Sequence, residues 1–362
     1  MVRGIFKSWK VRISVLLAVL LFVLLWIFIS QFPRSAGDYQ ITEIASQGKT
    51  LFLRCLNDNG QAAGSIVSPG KERAIIWDAD TGITILATPE GCSSLATDIN
   101  NSGQVCGELR DPNNKARPCF WDSEGRICDI DTLGGLRSIP QSINDNGQVV
   151  GWSQTSNGGV HAFLWTKEQV IVDLDPRGEL FSYAGAINNH GQVVGYLNTK
   201  GGIRHAFIWQ EETGIVDIHD KLKGAESVAG GINNSGQIIG EYLTSDNLWR
   251  AFVWDKSKGF RDLKIISERE YGCSPMAIND RGQGIATIHD KRAKWHGFVV
   301  QEGRDISFLL DHKLRRRYLH KALNFETNHF TAYDINNKGQ IIVSARKSNY
   351  RWYLMTPNVQ GN

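Results

Sequence analysis

Ala186-Ile187-Asn188-Asn189-His190-Gly191-Gln192-Val193-Val194-Gly195 decides the fold, because near-copies of this stretch recur along the whole chain. Aligned on their Gly-Gln pair, the copies bring Gly60, Gly103, Gly147, Gly191, Gly236, Gly282 and Gly339 into one position, with steps of 43, 44, 44, 45, 46 and 57 residues. A period near 44 with several strand-like runs per copy is the pattern of a propeller blade rather than of a helical solenoid.

One copy is enough to draw the blade. Between Glu226 and Leu263 the runs Ser227–Ile232, Gln237–Leu243, Arg250–Trp254 and Phe260–Leu263 alternate with turn residues. Asn233-Asn234-Ser235-Gly236 and Lys256-Ser257-Lys258-Gly259 each end on a glycine able to take positive φ at a hairpin, whereas the connection Thr244–Trp249 reads as longer and polar. The third run returns as Ala162-Phe163-Leu164-Trp165 and Ala206-Phe207-Ile208-Trp209. In an alternating strand its Phe and Trp share a face, which predicts a core between neighbouring blades.

The seventh copy ends after its third strand, Trp352-Tyr353-Leu354-Met355, while a sequence suited to a fourth strand, Tyr39–Ile44, stands at the other end. The expectation is an all-β, seven-bladed β-propeller over residues 39–357 in which the N-terminal strand completes the last blade and removes the open edge. A stretch of 18 uncharged residues, Ile13–Ser30, follows Arg3, Lys7, Lys10 and Arg12 and is long enough to cross a bilayer core. It predicts one N-terminal transmembrane helix over 13–30, between a cytoplasmic basic segment (1–12) and a linker (31–38), with 358–362 as a tail. An uncleaved signal anchor and a removed signal peptide are both open. On either reading the basic flank stays in the cytoplasm and the propeller is periplasmic or extracellular.

The net charge of +3 belongs to that leader, since five of the 40 Lys and Arg precede Gly37. The remaining 35 face 37 acidic residues, a balance that argues against nucleic acid as a partner.

At His161-Ala162-Phe163, His205-Ala206-Phe207, the Ile-Asn-Asn/Asp-x-Gly-Gln-Val-Val-Gly units and Asp131-Thr132-Leu133-Gly134-Gly135, the chain resembles the HAF-repeat group, described as extracellular repeat proteins of bacteria. The resemblance covers roughly Tyr39 to Met355 and departs in the last two blades, at His296-Gly297-Phe298 and Arg351-Trp352-Tyr353. It implies an exported location and carries no activity or catalytic residue with it.

A basic residue opens every third strand: Arg73, Arg117, His161, His205, Arg250, His296 and Arg351. Fourth strands supply Glu43, Asp129, Asp173, Asp217, Asp262 and Asp305, and hairpin register sets each near the basic residue of its own blade; blade one has Ile85 instead. A repeated cation–carboxylate bridge that fixes blade geometry accounts for this better than an anion-binding ring. The Asn and Gln of each turn can satisfy turn backbone groups.

Among six cysteines, Cys106 and Cys119 lie opposite each other if their hairpin is centred on Asp111–Asn114, which offers a candidate disulfide, with two separate core thiols as the preferred reading. No Cys-x-x-Cys pair, calcium-loop ligand run or nucleophile elbow is present, so no metal, cofactor or catalytic residue is expected.

The 57-residue step comes from an insertion bearing Lys313, Arg315, Arg316, Arg317 and Lys321. It falls in a connection that shares a face with the links between second and third strands, opposite the glycine-closed turns. An anionic contact and a solvated decoration are both open. The leading expectation is a membrane-anchored, exported binding module that meets a protein or glycan through this variable-loop face. An exported hydrolase or lyase with its site at the channel mouth is the alternative, and a structural scaffold the third. The first strands Ala184-Gly185-Ala186, Val228-Ala229-Gly230-Gly231 and Met276-Ala277 are small and uncharged, which argues for packing there rather than acid–base chemistry. Carboxylates converging at the channel would reverse that argument.

Overall fold

A computed structural model describes residues 39–358 apart from 46–47, 169–170, 177–180, 220–224, 267–272, 290–294, 302–306, 309–328 and 347–349. The anchor over 13–30 and the basic insertion lie outside these residues, as do Asp305 and the side chain of His296.

Seven four-stranded antiparallel sheets form a β-propeller, each sheet ordered first to fourth strand. Blade one runs from Thr50 to Ile85, two from Ser93 to Asp129, three from Gly134 to Asp173, four from Ser182 to Asp217, five from Glu226 to Ile266 and six from Cys273 to Phe308. Blade seven takes three strands from His329 to Pro357 and its fourth from Tyr39–Ile44, which pairs with Tyr350–Pro357 from Tyr39↔Pro357 to Ile44↔Trp352. The ring is therefore closed by its own two ends, and blade seven reaches the same four strands as the others.

All seven turn glycines take positive φ, between 70° and 86°. That conformation is why the position is glycine in every copy. Between the sheets lie buried apolar clusters. Trp121, Phe163 and Phe207 are fully buried, and Trp165 nearly so, in clusters that draw on adjacent blades. Trp209 and Trp254 are only half-buried.

Two readings need correction. Cys106 and Cys119 are free thiols, because the hairpin turns on five residues rather than four: the Asp111 N–H donates to the Lys115 carbonyl at 3.1 Å, with Asn114 at φ 62°. That extra residue pairs Cys106 with Phe120 and Gly107 with Cys119, so the two thiols point to opposite faces of blade two. Cys106 joins the core shared with blade three and Cys119 the core shared with blade one. The connection after Thr244 is likewise a tight five-residue turn, closed by Thr244 N–H to the Leu248 carbonyl at 3.0 Å with Asn247 at φ 61°. Asn is the non-glycine residue that tolerates this conformation best, and its polarity makes a tight turn read as a loop.

Every pairing of first and second strands also carries a register shift, three residues before the turn Asn. The residues at these bulges are Arg54, Thr97, Gln141, Gly185, Gly230, Met276 and Tyr333. A bulge re-aims a side chain. Here all seven bulge residues line the central channel.

Candidate functional site

The turns build one end of the molecule into a hydrogen-bonded ring. Each turn Asn accepts its own turn's backbone N–H groups on Oδ1, as Asn188 does from His190 at 3.1 Å and Gln192 at 3.0 Å. Its Nδ2 donates onward to the carbonyl of the equivalent Asn in the next blade. These links run Asn57, Asn100, Asn144, Asn188, Asn233, Asn279, Asn336 and back to Asn57, all at 2.9–3.0 Å.

The following residues form a second closed ring. The backbone N–H of each donates to Oδ1 of the next, through Asp58, Asn101, Asp145, Asn189, Asn234, Asp280 and Asn337, at 2.7–2.9 Å. Amides flank each carboxylate: Asp145 Oδ2 accepts from Asn101 at 3.0 Å and Asn189 at 2.8 Å, and Asp58 Oδ2 from Asn101 and Asn337 at 3.0 Å. The expected local role of the turn amides is present, and the blade-to-blade links are an addition that one copy read alone does not reveal.

First strands of all seven blades enclose a central cavity of about 770 Å³. Its wall is unequal. Two residues before the turn Asn, blades seven, one, two and three present Asp334, Cys55, Asp98 and Ser142, whereas blades four, five and six present Ala186, Gly231 and Ala277. Asp98 Oδ2 accepts the Ile143 N–H of the next blade at 2.9 Å, and Asp334 Oδ2 accepts that of Leu56 at 2.7 Å.

Both aspartates remain half-buried where the channel reaches them, yet protein encloses them on every other side. Burial pushes the Asp98 carboxyl up to about 6 despite its backbone hydrogen bonds. Burial and the neighbouring Asp98 charge push Asp334 up to about 8. Near neutral pH the pair therefore holds about one proton between two carboxyls. Cys55 lies close to both, and burial followed by their charges raises its thiol well above the ordinary value.

Cavity-lining residues include six carboxyl groups, Asp58, Glu72, Asp98, Asp145, Asp280 and Asp334, against one guanidinium, Arg54. The expectation of a small, uncharged wall holds only for blades four to six, from which it was generalised, and the converging carboxyls reverse the argument for packing alone in the channel. The signal was available in the column Cys55, Asp98, Ser142, Ala186, Gly231, Ala277, Asp334. Among the described residues no group of three or more His, Cys, Asp or Glu is arranged to hold a metal.

The cation–carboxylate pairs lie on the blades' outer parts. His161 Nδ1 meets Asp173 at 2.8 Å and His205 Nδ1 meets Asp217 at 2.7 Å. Arg117–Asp129, Arg250–Asp262 and Arg351–Glu43 are each 3.3 Å apart. Arg73, whose blade has Ile85 in place of the carboxylate, donates instead to the Cys92 carbonyl.

At the end opposite the Gly-Gln turns the surface changes character. Among the described residues eight large apolar side chains are exposed: Phe52, Leu136, Ile203 and Tyr350 lie towards this end, Met276 is in the channel, and Ile85, Val172 and Val216 are on outer fourth strands. Between blades four and five, Phe181 and Tyr183 stack on Tyr196 at 5.6 and 5.3 Å. Arg204 covers Tyr196 and Trp249 at 6.0 and 5.0 Å and pairs with Glu226 at 2.7 Å. A groove of about 1020 Å³ lies at the turn end between the same blades, with Trp209, Trp254 and Val216 along its walls.

Comparison with known proteins finds no matching family model and no matching curated protein. Among solved structures the chain is similar to an oligogalacturonate lyase from Vibrio parahaemolyticus, with a TM-score of 0.57 and 9% identity over 90% of this chain and 95% of that one. It is also similar to virginiamycin B lyase from Staphylococcus aureus, with a TM-score of 0.55 and 13% identity over 88% and 99%. Against TolB from Acinetobacter baumannii the TM-score is 0.48 at 13% identity; the match covers 83% of this chain and spans only 64% of TolB. Such identities speak for architecture alone, and the architecture they establish for this chain is the seven-bladed β-propeller.

Proposed function

We propose that this chain is an exported, membrane-anchored binding module that engages a protein partner through its variable-loop face. The observation that carries the reading is the placement of exposed apolar side chains. Phe52, Leu136, Ile203 and Tyr350 lie towards that face, while among the described residues none sits in a Gly-Gln turn. Exposed aliphatic and aromatic groups beside Arg204 and Arg346 have the composition of a protein contact. A glycan site would need open ring faces. Those of Tyr196 are instead met by Phe181, Tyr183 and Arg204, and Arg204 also lies over Trp249.

The test compares the triple change Leu136→Ser, Ile203→Ser and Tyr350→Ser with a matched change of Ser102, Ser123 and Ser257 at the turn end, using cross-linking in the native envelope. Loss of a specific cross-linked protein in the first variant only is expected. Equal loss in both, or loss only in the turn-end variant, would refute the proposal.

A second reading, a hydrolase or lyase acting in the channel, is favoured by one observation: Asp98 and Asp334 offer one ionised and one protonated carboxyl near neutral pH. The acidic wall argues against a polyanion of the kind named for the Vibrio lyase. Turnover of a neutral or cationic substrate that is lost in both Asp98→Asn and Asp334→Asn, with the fold retained, would establish this reading in place of the first.

A further inference from the structure

The strand that closes the ring also determines where the anchor leaves the propeller. Tyr350–Pro357 runs from the variable-loop end towards the turn end, where Thr356 accepts a hydrogen bond from Gln340 at 3.1 Å, beside the Gly339 turn. Tyr39–Ile44 pairs with it antiparallel, so Tyr39 lies beside Pro357 at the turn end and Ile44 beside Trp352 near the variable-loop end. Whatever precedes Tyr39 is therefore attached at the turn end.

The apolar stretch closes at Ser30, and eight residues, 31–38, separate it from Tyr39. Fully extended, eight residues reach at most about 28 Å. A six-residue strand is about 20 Å long. To bring the variable-loop face down to the bilayer, the linker would have to spend most of its reach climbing the outside of blade seven. With the turn end towards the bilayer no such detour is needed. Charge gives the turn end no pull of its own, since its tips carry Asp80, Glu124, Glu211 and Glu212 alongside Lys256 and Lys258; the basic insertion with Lys313, Arg315, Arg316, Arg317 and Lys321 falls on the variable-loop side, and could reach lipid headgroups only if the linker made that climb.

Resting on the membrane-anchored reading above, we infer that the propeller stands with its turn end towards the bilayer and presents its variable-loop face to the aqueous side. The partner of that face is accordingly a soluble or wall-held protein approaching from beyond the membrane, and neither a lipid headgroup nor the transmembrane part of a neighbour in the same bilayer.

The experiment uses the full chain in phosphatidylcholine–phosphatidylglycerol vesicles, with a fluorophore on one introduced cysteine and an energy acceptor on the lipid headgroups. Four variants form two matched pairs of exposed sites. Ser123→Cys at the turn end and Asn113→Cys at the variable-loop end share blade two; Ser257→Cys and Ser245→Cys share blade five. A blade height of about 20 Å should make transfer from each turn-end site roughly twofold or more above its partner's. Equal or reversed transfer in a chain that resists carbonate extraction would overturn the inference and leave the anchored reading intact. Extraction by carbonate would overturn both.

Lengthening the linker by about 30 Gly and Ser residues after Gly37 should bring the ratio towards one, because a flexible tether no longer orients its cargo. A ratio that survived would uphold the orientation but overturn the tether as its cause, leaving adhesion of the turn end to set it.

Discussion

The two ends of the propeller are built from the same 44-residue unit under opposite constraints. At the turn end Asn, Gly and Gln recur in all seven blades, because each Asn satisfies its own turn and also the next blade's carbonyl. At the variable-loop end tight turns are closed by Asn114, Gly158, Gly202 or Asn247, and the neighbouring side chains differ from blade to blade. Repetition marks what holds the ring together, and divergence marks the surface left free for recognition.

The largest expected effect tests the repeated end. Asn188→Ala leaves the His190 and Gln192 N–H groups and the Asn233 carbonyl without this partner in a buried setting. It should cost about 2–4 kcal/mol, read as a lowered denaturant midpoint. A loss under about 0.5 kcal/mol would mean that the ring is decoration.

Asp145→Ala removes the acceptor shared by the Asn101 and Asn189 amides at the half-exposed rim. About 1–2 kcal/mol is expected by the same measurement.

The channel gives a pH test. The folded values of Asp98 and Asp334 are raised, so their contribution is fully present below the ordinary carboxylate value of about 4 and is lost as pH rises through about 6 and about 8. Unfolding free energy should therefore fall between about pH 4 and 8, by up to about 2 kcal/mol per pH unit near pH 5 where both groups contribute and about 1 above pH 6 where Asp334 alone does, and Asp334→Asn should flatten the upper part of that fall. A wild-type curve flat over this range would show that the two carboxyls are not held as described.

The smallest stability effect belongs to the divergent end. Leu136→Ser, with its side chain 70% exposed, should change stability by less than about 0.5 kcal/mol in thermal unfolding while weakening the proposed partner contact. A larger destabilisation would show that the two ends do not divide structure from recognition in this way.

The repeat was legible because its period is covalent. Seven Gly-Gln pairs and an orphan fourth strand lead directly to the closed ring, and the Phe207↔Asp217 register follows from counting out of the turn. What stayed hidden depends on turn and bulge geometry that the blades share but that residue types do not announce. The hairpin between second and third strands turns on five residues in blades two to five, at Asp111–Lys115 as at Thr155–Gly159, Thr199–Ile203 and Thr244–Leu248, and this register separates Cys106 from Cys119. The bulge at Thr97, repeated in every blade, re-aims the strand so that Asp98 reaches the channel; strict alternation does not predict this. The acid pair was illegible for a further reason. Its carboxyls are contributed by blades two and seven, and only closure of the ring brings residues so far apart in sequence into one electrostatic environment.

The strand Tyr39–Ile44 also sets an order of events in time. It is the first part of the ring to be made, yet its partner Tyr350–Pro357 is the last, so Glu43 waits through 308 residues before it can meet Arg351. Until then blade seven lacks an edge and blade one lacks a neighbour. Closure is thus a late step of high contact order, and a chain truncated anywhere before that last strand forfeits the joint at which both termini are secured.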